Sequence, residues 1–164
     1  MTIQEQYRGP AGQMLPGLKI ELEDALGRLN HFFAGKQVVI AYLFGSYAAG
    51  TNDESSDLDL AVLLSDQNKE TKDFFTDLIT GLQKLLETER FDLLLLNNAS
   101  PLIKKEIVSS GRIIYTYSEM EQANYEMRVL QEYLDTAHLR EVQNEYLQKR
   151  VEQWFSEKKA SSSA

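Results

Sequence analysis

Two patterns of apolar positions alternate along the chain: three- and four-residue spacing, which predicts helices, and short continuous runs, which predict buried strands. Leu18, Leu22, Ala25, Leu26, Leu29 and Phe33 recur at helical steps and stop near Gly35. Val38 to Phe44 is apolar throughout and reads as a buried strand, broken by Gly45-Ser46. Tyr47 to Gly50 is a candidate helical turn before a polar loop from Thr51 to Ser56, and Asp57 to Leu64 is a second strand. A helix from about Lys69 to Glu89 carries Phe74, Phe75, Leu78, Ile79, Leu82, Leu85 and Leu86 on its buried side, and Phe91 to Leu96 is a third strand. Ser100-Pro101 starts the next helix, with Ser100 as N-cap and proline at the first position. Gly111 ends it, and Arg112 to Thr116 forms a final strand. From Ser118 to about Lys158 the pattern is helical again. One stripe joins Met120, Ala123, Met127, Leu130, Leu134 and Ala137. A second, shifted stripe joins Leu139, Val142, Tyr146, Leu147, Val151 and Trp154, so a break is expected near His138 or two packing surfaces are present. The predicted fold class is α/β (α+β): a small mixed β-sheet with helices packed on it and a long C-terminal helical segment. Residues 1–17, rich in turn formers, are expected to form a flexible N-terminal arm, and 160–164 a disordered tail.

Composition narrows the chemistry. The 164 residues carry 17 Lys+Arg against 25 Asp+Glu, a formal net charge of -8, with 43% hydrophobic residues. That hydrophobic content suits one globular domain and excludes disorder as the main state. The acidity argues against general nucleic-acid binding, which normally needs a basic face. The absence of cysteine excludes disulfides and thiolate chemistry, and two histidines make a multi-histidine zinc site improbable. The polar N-terminus lacks a signal-peptide core and no window matches a transmembrane helix, so a cytoplasmic protein without membrane association is the expectation.

The segment from Gly45 to Asp59 holds the densest chemistry. Asp57 and Asp59 are two apart on an expected strand, so both carboxylates project from one face while Leu58, Leu60, Val62 and Leu64 enter the core. Neighbouring carboxylates repel unless a cation lies between them, and oxygen ligands of this kind suit Mg²⁺. Gly45 allows close approach of backbone to a ligand, and Ser46 at the start of a helical turn supplies a hydroxyl and free N–H groups for phosphate oxygens. Together they describe a nucleoside triphosphate plus metal site and in-line transfer at phosphorus. Asp92, inside the otherwise apolar third strand, is the candidate third carboxylate and proton acceptor. Asp53 and Glu54 read as loop residues, and His31 and His138 as ordinary helix residues.

Gly45-Ser46, ten intervening residues and Asp57-Leu58-Asp59 resemble the signature of the DNA polymerase β-like nucleotidyltransferase superfamily, in particular its minimal nucleotidyltransferase branch. The resemblance spans roughly residues 18–117, with 118–159 as a C-terminal helical extension. It implies that Gly45 and Ser46 bind the triphosphate and that Asp57, Asp59 and Asp92 hold Mg²⁺, with ATP as co-substrate. Size and the helical C-terminal segment further resemble the antitoxins of this branch, whose partner is a HEPN-type ribonuclease toxin. The implied activity is transfer of AMP from ATP to a tyrosine hydroxyl of that toxin, which neutralises it. No Arg-x4–6-His pattern of the toxin itself accompanies His31 or His138.

Two other functions fit the same residues less well. One is AMP transfer to a small-molecule hydroxyl, for which the chain leaves little room for an acceptor-binding domain. The other is a non-catalytic antitoxin that masks its partner through the long amphipathic segment, without using the carboxylates. The acidity favours a basic protein acceptor over RNA.

Overall fold

A computed structural model describes residues 22–53, 55–65 and 72–161. The arm at 1–17, the expected helix start at Leu18, Glu54, the expected start at Lys69 and residues 162–164 lie outside the described residues. The elements are α1 (Leu22–Ala34), β1 (Val38–Phe44), α2 (Gly45–Ala49), β2 (Leu58–Leu64), α3 (Lys72–Leu86), β3 (Phe91–Leu95), α4 (Pro101–Ser110), β4 (Arg112–Thr116), α5 (Glu119–Asp135) and α6 (Ala137–Ser161).

The four strands form one sheet in the order β3-β2-β1-β4. β1 runs antiparallel to both β2 and β4, whereas β2 and β3 are parallel, joined through α3. This is the mixed sheet expected from the apolar runs. Alternation along the strands divides the core in two. Leu58, Leu60, Val62 and Leu64 of β2 meet Leu29 and Phe33 of α1 and Leu78, Leu82 and Leu86 of α3 on one face. On the other face, Ile40, Tyr42 and Ala61 meet Ile107 of α4 and Tyr125 and Val129 of α5.

Local signals set the element ends. Ser100 caps α4 by accepting a hydrogen bond from the Ile103 amide (3.4 Å), and Pro101 occupies the first turn. β3 stops at Leu95 rather than Leu96, because Leu96–Asn98 turn into a 3-10 helix. That turn brings Asn97 back onto β2, where its side chain accepts from the Leu64 amide (2.9 Å) and donates to the Leu64 carbonyl (3.0 Å). β2 starts at Leu58, one residue later than the pattern predicts, where its pairing with Phe91 of β3 begins.

In the C-terminal half the break expected near His138 falls at Thr136; the Thr136 amide still bonds Glu132 O and the Arg140 amide bonds Thr136 O, both at 3.2 Å. Arg140 stacks 3.7 Å above the Tyr133 ring and donates to the Thr136 hydroxyl at 2.6 Å, which fastens the joint. Ala160 and Ser161, expected in a tail, continue α6; alanine has the highest intrinsic helix propensity. The Met120–Leu134 stripe does not pack on the sheet. α5 docks instead through Tyr125 and Val129, while Met120, Met127, Leu130 and Leu134 face outward. Among the described residues no helix is long and apolar enough to cross a membrane.

Candidate active site

Asp59 and Asp92 are direct register partners across the parallel β2–β3 pair. Strand alternation places Asp59 on the face of Ala61 and Asp92 on the face of Leu94, and both of those residues belong to the α4–α5 side of the sheet. The two carboxylates therefore sit side by side at the start of their strands. Leu58, Leu60 and Val62 fill the opposite core, as the alternation in β2 predicts.

The Gly45-Ser46 half reaches the same place from β1. Phe44 pairs with Asp59 in the antiparallel β1–β2 ladder, so Gly45 emerges directly beside that carboxylate. Gly45 has φ of 66°, a left-handed conformation that L side chains rarely adopt. A Cβ at Gly45 would overlap the Asp59 carboxylate oxygen and come within 2.8 Å of its Cγ. Only glycine permits both the turn and the contact. α2 follows at once, and its first N–H groups have no side-chain cap. Gly50, in a left-handed conformation with φ of 68°, closes the turn by bonding Ser46 O.

The third predicted ligand is arranged differently. Asp57 precedes β2, and its Oδ1 accepts a hydrogen bond from Arg90 Nε at 3.0 Å. Arg90 Nη2 also donates to the Ser56 carbonyl (3.3 Å), and the Arg90 carbonyl accepts from the Leu58 amide (3.2 Å). The Arg90 side chain is 8% exposed. Arg90 is the contact of the candidate site that sequence reasoning missed. Its only signal is a position two residues before the strand aspartate, which does not reveal its partner. Asp53, read as a loop residue, accepts hydrogen bonds from the Ser55 amide and the Ser55 and Ser56 hydroxyls and orders the approach to Asp57. These bonds hold its carboxyl below the usual range. Both histidines are exposed on their helices.

The electrostatics of the acidic pair favour a positive charge beside it. Partial burial, then the Asp92 and Asp57 charges, push the Asp59 carboxyl above its ordinary pKa. Each of these causes opposes a negative charge that a divalent cation would relieve. Among the described residues no three carboxylates or imidazoles are drawn together as a ready-made cage, in keeping with the tie between Asp57 and Arg90. An all-oxygen set of this kind suits Mg²⁺, which takes one or two carboxylates and completes its shell with water and phosphate.

A family described as polymerase beta, nucleotidyltransferase matches residues 28–120, more than half of the chain and all four strands. The chain belongs to that family. It is 33% identical over 76 residues to the protein adenylyltransferase MntA of Shewanella oneidensis, covering 46% of this chain and 52% of that protein. The chain thus aligns with about half the length of that relative. It is 26% identical over 119 residues to the protein adenylyltransferase MntA of Aphanizomenon flos-aquae, covering 68% and 79% respectively. The fold is similar to a crystal structure of a toxin-antitoxin with AMP-PNP (TM-score 0.63, 22% identity, 74% of this chain and 98% of that one). It is also similar to a structure of a tri-AMPylated Shewanella oneidensis HEPN toxin in complex with MNT antitoxin (TM-score 0.60, 19% identity, 76% and 98%).

Proposed function

We propose that this chain is an antitoxin nucleotidyltransferase that moves AMP from ATP to a tyrosine hydroxyl of a cognate HEPN ribonuclease toxin and so neutralises it. The observation that carries the reading is the contact of Gly45 with the Asp59 carboxylate, because it joins a phosphate-binding turn to an acidic pair. The two adenylyltransferase relatives supply the direction of the chemistry.

In this reading the Ser46 hydroxyl and the uncapped α2 amides hold the β- and γ-phosphates, and the bare Cα of Gly45 lets them lie against the carboxylates. Asp57, Asp59 and Asp92 would hold Mg²⁺, which when bound offsets the triphosphate charge and polarises the α-phosphate. Arg90 keeps one oxygen of Asp57 occupied and so fixes where the other points. Asp92, the exposed member, accepts the proton of the incoming tyrosine hydroxyl. The phenolic oxygen then bonds to the α-phosphorus, the α–β bridging bond breaks and pyrophosphate leaves. A chain without cysteine that uses ATP is in keeping with a cytoplasmic site of action.

The test combines the purified chain, ATP, Mg²⁺ and the product of the adjacent gene, followed by intact mass. The expected result is an AMP adduct on a tyrosine of the partner, lost on chelation of Mg²⁺ and lost in the Asp57→Asn, Asp59→Asn double variant. No adduct on the partner refutes the reading. A double variant that still neutralises the toxin fully would assign neutralisation to masking rather than to transfer.

A further inference from the structure

The turn between α3 and β3 is built around a buried arginine. α3 ends through Glu87 in a left-handed conformation (φ 52°), and Thr88 and Arg90 beyond it are 4% and 9% exposed. The Thr88 hydroxyl accepts from the Arg90 amide (3.1 Å), and the Arg90 carbonyl accepts from the Leu58 amide (3.2 Å), so the backbone is pinned on both sides. From that fixed backbone Nη2 donates to the Ser56 carbonyl and Nε to Asp57 Oδ1. Among the described residues Asp57 Oδ2 has no donor. Stability alone explains this pair poorly. Burying a guanidinium against a carboxylate that stays 31% exposed carries a desolvation cost that offsets much of the attraction. What the arginine does to Asp57 explains it better.

We infer that Arg90 is a positioning residue that sets metal selectivity: by holding Oδ1 it limits Asp57 to coordination through one oxygen, which suits Mg²⁺ and disfavours Ca²⁺. This role rests on the Mg²⁺ site proposed above. Coordination through both oxygens would bring an ion against Oδ1, where a hydrogen bond already takes a lone pair and the guanidinium supplies like charge. Coordination through Oδ2 alone avoids both. Mg²⁺ demands near-octahedral geometry and keeps several waters, whereas the larger Ca²⁺ takes more oxygen ligands and accepts carboxylates through both oxygens. A carboxylate restricted to one oxygen therefore deprives Ca²⁺ of a ligand and Mg²⁺ of none. Hydrogen bonds to a ligating carboxylate commonly tune a metal site in this way.

The test titrates Mg²⁺ or Ca²⁺ alone into the purified full-length chain at constant ionic strength, and the rise in melting temperature gives each dissociation constant. Loss of the arginine charge strengthens both divalent ions alike, so the ratio of the Ca²⁺ to the Mg²⁺ dissociation constant isolates the number of oxygens offered. Arg90→Met should lower that ratio about 10-fold. Arg90→Ala leaves room for water beside Oδ1, guards against a poorly folded Arg90→Met, and should lower the ratio as much. Arg90→Lys, whose ammonium reaches the position of the guanidinium carbon, still donates to Oδ1 and should keep the parent ratio. Thr88→Val loosens the same turn without removing the guanidinium, and it should keep the parent ratio too. An unchanged ratio in Arg90→Met and Arg90→Ala overturns the selectivity role, and so does a lowered one in Arg90→Lys or Thr88→Val. A parent chain that binds neither ion refutes the metal site itself. A parent that binds Mg²⁺ and labels its partner with AMP, with a ratio indifferent to Arg90, refutes the selectivity role alone.

Discussion

Replacing Gly45 by alanine puts a methyl group where the Asp59 carboxylate already lies, and Gly50 provides the matched control. The two glycines have nearly the same backbone, φ 66° and 68°, so an alanine at either costs about 1–2 kcal/mol of left-handed strain. A Cβ at Gly50 meets nothing within 4 Å, whereas one at Gly45 overlaps Asp59. The strain is shared and the displacement of Asp59 is not. Both variants should melt lower, by about 4 °C for each kcal/mol, with Gly45→Ala the lower of the two. Transfer of labelled AMP from ATP should separate them far more. Gly50→Ala should keep most of the rate, because its strain lies at the far end of α2. Gly45→Ala should lose about 100-fold, the usual consequence of moving a catalytic group by about 1 Å. Equal transfer rates in the two variants would refute the argument that Gly45 exists to seat Asp59 against the phosphates.

Other outcomes follow from the same contacts. Arg90→Met should cost about 2 kcal/mol in chemical denaturation, between the values for exposed and buried ion pairs, because Asp57 remains 31% exposed; a neutral result would mean that water replaces the guanidinium without loss. Asp59→Asn should abolish transfer yet melt higher than the parent in metal-free buffer, since it removes one of two repelling carboxylates, and added Mg²⁺ should raise the melting temperature of the parent only. Tyr42→Phe should lose about 1 kcal/mol with its 3.1 Å hydrogen bond to Glu126, while Tyr125→Phe should lose none, its hydroxyl having no partner among the described residues. Burial, and then Glu126 for Tyr42 and Glu132 for Tyr125, push both phenols far above the ordinary value. The folded state therefore keeps protons that the unfolded state releases, so stability should fall as pH rises past about 10, by up to about 1.4 kcal/mol per pH unit for each tyrosine. Unchanged pH dependence in the double Phe variant would show that other groups govern the alkaline limb.

What could be read from the chain and what could not are divided by the range of the interaction. Gly45, Ser46, Asp57 and Asp59 lie on two strands joined by a short loop, so spacing and strand alternation alone place them near one another. Asp92 is legible because a carboxylate interrupts an apolar run, although only the parallel register sets it beside Asp59. Arg90 is different. Its partner is 33 positions away, and the ion pair depends on how β2 and β3 slide past each other, which no local pattern encodes. The packing of α5 is more instructive. Its most regular stripe, from Met120 to Leu134, suggests the buried side, yet the fold buries Tyr125 and Val129, flanked by the half-buried polar Gln122 and Glu126. Glu126 tolerates that position because the buried Tyr42 hydroxyl and the Gln122 amide both donate to it. A hydrogen-bonded flank thus wins the sheet while a regular apolar seam stays outside. Periodicity measures how much a helix face gains from burial and says nothing about which molecule covers it. A face that the chain keeps apolar over five turns, and does not use for its own core, is therefore best understood as selected for a surface other than this sheet.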